Sequence, residues 1–290
     1  MQNIPFQIFA WIASIAFGLE VVGTKFLSKY EIKNPWLFNF SYNGLVLLFT
    51  IPIALHYGAG VPPHWTFIIW SGILWALGCI FWLLAIYRLD VTTLSPLWLG
   101  LRSMFAIILG GLFLGEVISL NQFFLIVLII FGVSLVTLNE KISWRSMLNS
   151  GVGLSILSMF IFTVWAILIK KAIAVSDFWT ATIWMLVIGQ IFFCFTLPYF
   201  ISEIKNIEKK QGLFIFFVAV FDLIGVLASN RAYQENLIIS SAIVNLPLSA
   251  VMAFLISCFT TKSLENHTWL IYLFRFIGII LIVWAAIKLG

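Results

Sequence analysis

The sequence predicts an all-α integral membrane protein with ten transmembrane helices arranged as two inverted five-helix repeats. Three observations carry that prediction. Of 290 residues, 62% are hydrophobic and 9% are charged, whereas an ordinary soluble domain is about 25% charged. A chain of this size can leave so many apolar side chains outside only if lipid covers them. A helix needs about 20 apolar residues to cross a bilayer core, and ten segments pass that ruler. The third observation is that the chain matches itself when displaced by about half its length.

The first segment, 4–27, lacks a basic leader and is longer than the roughly 7 to 15 apolar residues of a signal-peptide core, so it reads as a retained helix. The others run 35–55, 65–87, 93–114, 121–138, 151–172, 178–200, 213–233, 239–259 and 268–288. Between them lie short polar connections such as "YEIKNP" at 30–35, "GAGVPPH" at 58–64, "NEKISWRSMLNS" at 139–150 and "SEIKNIEKKQG" at 202–212. No room is left for a soluble domain. Binding or chemistry therefore belongs inside the helical bundle, where helices satisfy the backbone polar groups.

An offset of 146 places Tyr87 on Tyr233, Asp90 on Asn236 and Gly132 on Gly278, and an offset of 145 places Phe17 on Phe162 and Lys25 on Lys170. Residues 1–144 and 145–290 thus read as two repeats. With five spans each, they enter the membrane in opposite directions, the layout of carriers whose substrate site lies near the midplane between halves.

The stretch "YRLDVTTLSPLWLGLRSMFAIILGGLFLGEVISLNQFFLIVLIIFGVSLV", Tyr87 to Val136, resembles the third-to-fifth-helix block of EamA-like carriers of the drug/metabolite transporter superfamily. The shared features are a polar turn, a Pro near the next helix start, "LFLGE" ending that helix and a Gly in the one after. Phe17-Gly18 followed by Lys25 is similar to the family's first-helix pattern. Two differences stand out. The counterpart of Glu116 in the second half is Lys262, and "HYGAGVPPH" has no Lys or Arg where the family carries a basic loop. The resemblance implies a ten-helix carrier with both termini inside. Lys and Arg counted near span ends give 10 on the side opposite the termini and 4 on theirs, which points the other way.

Four charges stand mid-span: Glu20, Arg102, Asp222 and Arg275. A charge at the bilayer centre costs about 2.5 to 3.5 kcal/mol on an insertion scale, so each needs a partner or a watery cavity. Lys25, Arg88, Lys170, Lys171, Arg231 and Lys288 lie near span ends, where they are expected to snorkel. One reading pairs Glu20 or Asp222 with Arg102 or Arg275 as a structural lock. The other makes Glu20, Arg102 and Asp222 a substrate site, carboxylates for a cationic group and a guanidinium for a carboxylate. In that reading Glu20 and Asp222 are also the candidate proton carriers. The resemblance puts the tenth helix at the periphery, which assigns Arg275 to structural pairing.

Trp75 and Trp82 share a helix face with Cys79, and Trp98 lies one turn before Arg102. Trp75 and Trp98 are the aromatic site candidates, since indole faces attract organic cations. Pro247 removes a backbone hydrogen bond to Ile243 inside the ninth span, and Asn245 offers an amide beside it. The pair is expected to form a helix break that binds substrate and gates. Pro96, placed in the first turn of its span, needs no such role.

The net charge of +5 is scattered, so nucleic acid is excluded as a partner. Cys79, Cys194 and Cys258 have no disulfide or metal spacing and read as small core residues. No metal or cofactor is expected. His56, His64 and His267 fall in loops, and no GxSxG, HExxH or P-loop is present, so an enzyme is not expected. Asn266-His267-Thr268 fits a glycosylation sequon, but nothing else points to a eukaryotic secretory route. The expectation is a monomeric, multi-pass protein of a prokaryotic cell membrane. It moves a small polar organic metabolite, an amino acid or related zwitterion first, by alternating access coupled to a proton or other ion. Organic amines or quaternary ammonium compounds are the second class. A membrane enzyme acting on lipid-borne substrates and a non-transporting scaffold or sensor are the other readings.

Overall fold

A computed structural model describes residues 5–114, 120–136, 149–235, 240, 243–244, 246–259 and 268–289. Ten α-helices are present among the described residues: α1 Phe6–Tyr30, α2 Pro35–His56, α3 Thr66–Ile86, α4 Val91–Leu114, α5 Leu120–Val136, α6 Ser150–Val175, α7 Phe178–Cys194, α8 Lys209–Glu235, α9 Leu248–Phe259 and α10 Trp269–Leu289. Five of them, α1, α2, α3, α6 and α8, are long and apolar enough to cross a membrane by length and composition. The protein is a multi-pass membrane protein.

In α1 the faces sort as lipid requires. Trp11, Ile12, Ile15 and Leu19 point outward, whereas Ala10, Ala13, Ser14 and Gly18 are buried. Small residues face inward because helices in lipid associate by close backbone approach. Helix starts are capped by short polar side chains. Asn34 Oδ1 accepts from Trp36 N at 3.0 Å to open α2, with Pro35 in the first turn, and Asp177 accepts from Trp179 N at 2.9 Å to open α7.

The packing obeys an exchange of halves. The most extensive contacts join α1 to α8, α3 to α6, and α5 to α10. Swapping the first and third helices of one half for those of the other turns the α1/α8 contact into the α6/α3 contact. Each crossing is built on a glycine. A Cβ at Gly225 of α8 would lie 2.6 Å from the Phe17 ring of α1, and one at Gly78 of α3 would lie 2.7 Å from the Phe162 ring of α6. At α5/α10 the repeat partners Gly132 and Gly278 meet each other, with a Cβ on Gly278 falling 2.7 Å from the Gly132 carbonyl oxygen.

Several sequence expectations change. Lys25 does not snorkel: it is buried, and its Nζ donates to Ile86 O at 2.9 Å and Leu89 O at 2.7 Å. Ile86 ends α3 and Leu89 lies three residues beyond it, so the buried ammonium satisfies one carbonyl of the helix end and one of the turn that follows. Helix α4 starts at Val91, which puts Pro96 beyond the first turn. Cys194 is exposed at the end of α7, not part of the core, while Cys79 is buried. Helix α7 stops at Cys194 and gives way to a 3-10 turn at Leu197–Tyr199, six residues short of the expected span end at 200. Glu116, Asn236, Asn245, Lys262 and His267 lie outside the described residues, as does the side chain of Cys258.

Candidate substrate cavity

Between the halves lies a cavity of about 780 Å³, counting its open part, lined by α1, α2, α3, α4, α6, α8 and the residues around Pro247. The sequence candidates Glu20, Arg102, Asp222, Trp75 and Trp98 all line it. At Pro247 the backbone bends. Ile243 and Val244 are helical before it, Leu246 and Pro247 are not, and α9 begins at Leu248. Val244, Leu246 and Ser249, on both sides of the break, face the cavity.

The acidic wall stands where α1 meets α8. Glu20 and Asp222 are 3% and 4% exposed, and each lies in the other's electrostatic field. Thr24 Oγ1, one turn on, donates to Glu20 Oε1 at 2.8 Å. Among the described residues Asp222 Oδ2 has no hydrogen-bond partner, nor do the indole nitrogens of Trp75 and Trp98 or the hydroxyl of Ser14, all of which line the cavity. A buried polar atom without a partner costs about 1–3 kcal/mol, so this cluster favours a polar guest.

Indoles line the same cavity, and the repeat relates them to the acids. Phe17 and Phe162 set an offset of 145 between α1 and α6, and Gly78 and Gly225 set 147 between α3 and α8. In that register Glu20 corresponds to Trp165, and Asp222 corresponds to Trp75 rather than to Ala76. Each half thus contributes one carboxylate and one indole, and where one half places an acid the other places an indole; the two indole ring centroids are 5.0 Å apart. Trp82 and Trp98 add a second indole pair at 5.6 Å. Arg102, 7% exposed, places its guanidinium 5.4 Å above the Tyr233 ring.

Arg275 takes the structural course. It reaches Asp90 Oδ2 at 3.6 Å and donates to Thr92 Oγ1, tying α10 to the start of α4, and it does not line the cavity. Sequence reasoning missed Tyr42, Trp165, Tyr233 and the Ser95–Ser249 pair, whose hydroxyls bond at 2.7 Å across α4 and α9. The Phe17/Phe162 and Tyr87/Tyr233 matches were the signal that could have found Trp165 and Tyr233, since Trp165 lies three residues after a matched position and Tyr233 is one.

A buried polar cavity between two five-helix halves is the architecture of a solute carrier. The sequence model of the EamA-like transporter family matches residues 5–138 and again residues 149–284. The chain belongs to the EamA-like transporter family, of the drug/metabolite transporter superfamily. No curated protein matches it. Among solved structures, a crystal structure of a protein is similar to it at 11% identity and a TM-score of 0.66, over 98% of this chain and 97% of that one. At that identity the likeness carries the fold alone.

Proposed function

We propose that this transporter carries a small zwitterion, an amino acid or close relative, by alternating access between two inverted five-helix repeats of ten spans. The observation that carries the reading is that Glu20, Asp222 and Arg102 line one cavity. The carboxylates suit an ammonium group, and the guanidinium suits a carboxylate through paired hydrogen bonds. The Trp75 and Trp165 rings supply a face on which the apolar part of such a molecule packs. Exchange of a proton for the ammonium group at Glu20 or Asp222 keeps that wall's charge constant, which suits coupling to a proton gradient. The break at Pro247 gives α9 a place to bend as access alternates.

A second reading, organic amines or quaternary ammonium compounds, is favoured by one observation: the indoles and the acids occupy repeat-matched positions around one cavity, a setting for cation–π attraction. A thermal-shift screen of purified protein against amino acids and amines separates the two, because a ligand that binds only the folded state raises apparent stability. Amino acids stabilise the wild type, and Arg102→Gln removes that effect. Stabilisation by amines alone, unaffected by Arg102→Gln, would favour the second reading.

A further inference from the structure

Thr24 lies one turn after Glu20 on α1, is fully buried and does not line the cavity. A buried threonine inside a helix commonly gives its hydroxyl proton to the carbonyl four residues back. Thr50 does so to Val46 O and Thr163 to Met159 O, both at 2.7 Å. Thr24 departs from that pattern: its Oγ1 donates to the side chain four residues back, Glu20 Oε1, at 2.8 Å. The bond engages one carboxylate oxygen and leaves Oε2 for a guest. The other half shows that the fold does not call for this hydroxyl. In the α1/α6 register set by Phe17 and Phe162, Glu20 corresponds to Trp165 and Thr24 to Ile169, a fully buried core residue. Where an indole replaces the acid, an alkyl group replaces its donor.

We infer that Thr24 is a positioning residue of the substrate site: through its hydroxyl it holds the Glu20 carboxylate at the cavity and readies it for an ammonium group. The inference deepens the substrate-site reading of Glu20 and rests on it. A hydroxyl donor favours a carboxylate over the protonated acid, because the charged oxygen is the stronger acceptor. Thr24 therefore eases the exchange of a proton for a cationic guest at Glu20, and it does so from outside the cavity, without narrowing it. The other titratable or charged groups lining the cavity are Tyr42 of α2, Cys79 of α3, Arg102 of α4, and Asp222 and Tyr233 of α8. Asp222 bears on Glu20 most directly, since the two acids lie in each other's field and a proton kept by one is more readily lost by the other.

Dicyclohexylcarbodiimide tests it without any substrate, because this apolar reagent enters buried sites and adds to a carboxyl group only when it is protonated. Protein in lipid nanodiscs is treated across a range of pH, and modification of Glu20 and of Asp222 is followed separately by mass spectrometry. In the wild type Glu20 modification falls as pH rises. In Thr24→Val, which keeps the shape and removes the donor, the fall comes at a proton concentration about three- to tenfold lower, the part of a charge-assisted hydrogen bond that protonation gives up. Asp222 modification does not rise with it. Thr24→Ser restores a donor and behaves like the wild type, while Thr24→Ala shifts the fall in the same direction as valine. An unmoved Glu20 profile in Thr24→Val would overturn the inference. So would a Glu20 that takes no reagent at any pH, or an equal rise at both acids, which a loosened helix would give. Flux of labelled amino acids in proteoliposomes is measured separately: its absence sinks the transport reading and leaves the carbodiimide profiles to be judged on their own.

Discussion

At the scale of single residues, two acids share the cavity with Arg102, four indoles and several hydroxyls. Glu20 and Asp222 stand where the other half has Trp165 and Trp75, so the fold does not require charge there. Groups that cost stability without serving the fold are candidates for binding. Glu20→Gln and Asp222→Asn, which keep the shape, are each expected to weaken ligand binding by about 10- to 100-fold, the value of a charge-assisted hydrogen bond. Isothermal titration with the best stabiliser from the thermal screen checks this. Arg275 belongs to stability instead. Arg275→Met leaves Asp90 without its cation and is expected to cost about 2 kcal/mol, at the low end because Asp90 is 35% exposed. The melting temperature falls, while binding by the folded fraction stays at the wild-type level. The mid-span charges were legible in the sequence because lipid makes them conspicuous. The partners were not, since nothing local distinguishes Arg102 in the cavity from Arg275 beside Asp90. Lys25 was misread for a related reason: position near a span end says how far a side chain can reach, and only the fold shows the Ile86 and Leu89 carbonyls within its reach.

Among the elements, close helix crossings decide how the halves meet. Gly225→Ala drives a methyl group into the Phe17 ring and is expected to cost about 1–3 kcal/mol, and Phe17→Leu in the same chain returns part of that by removing the obstacle. Gly278→Ala is harsher, because its methyl meets the backbone oxygen of Gly132, which has no rotamer to give way. Thermal melting of the two single variants and the double variant measures both effects and their coupling. At the break before α9, Pro247→Ala permits a continuous helix. Ligand binding is expected to persist while the flux rate falls about tenfold or more, a split between binding and transport that equilibrium binding and flux assays read separately. Hydropathy located the helices well because length and apolarity are properties of each segment. It missed ends set by tertiary contacts: α4 begins at Val91, and α7 stops at Cys194, where a 3-10 turn takes over.

For the whole molecule, the two matches to the EamA-like family and the exchange of helix contacts describe one design, two halves sharing a cavity. The symmetry was faintly visible in the sequence at Phe17/Phe162 and Gly132/Gly278. It became informative only when packing fixed the register, because a shift of one residue turns Asp222's counterpart from Ala76 to Trp75. The clearest departure from symmetry is in the cavity, where acids stand against indoles. The central claim, that this cavity moves a zwitterion across the membrane, is tested most directly by counterflow of a labelled amino acid in proteoliposomes, comparing wild type with Glu20→Gln and Asp222→Asn. The account predicts label accumulation driven by unlabelled amino acid inside wild-type vesicles, reduced at least about tenfold in both variants. Equal accumulation in all three proteins would contradict it.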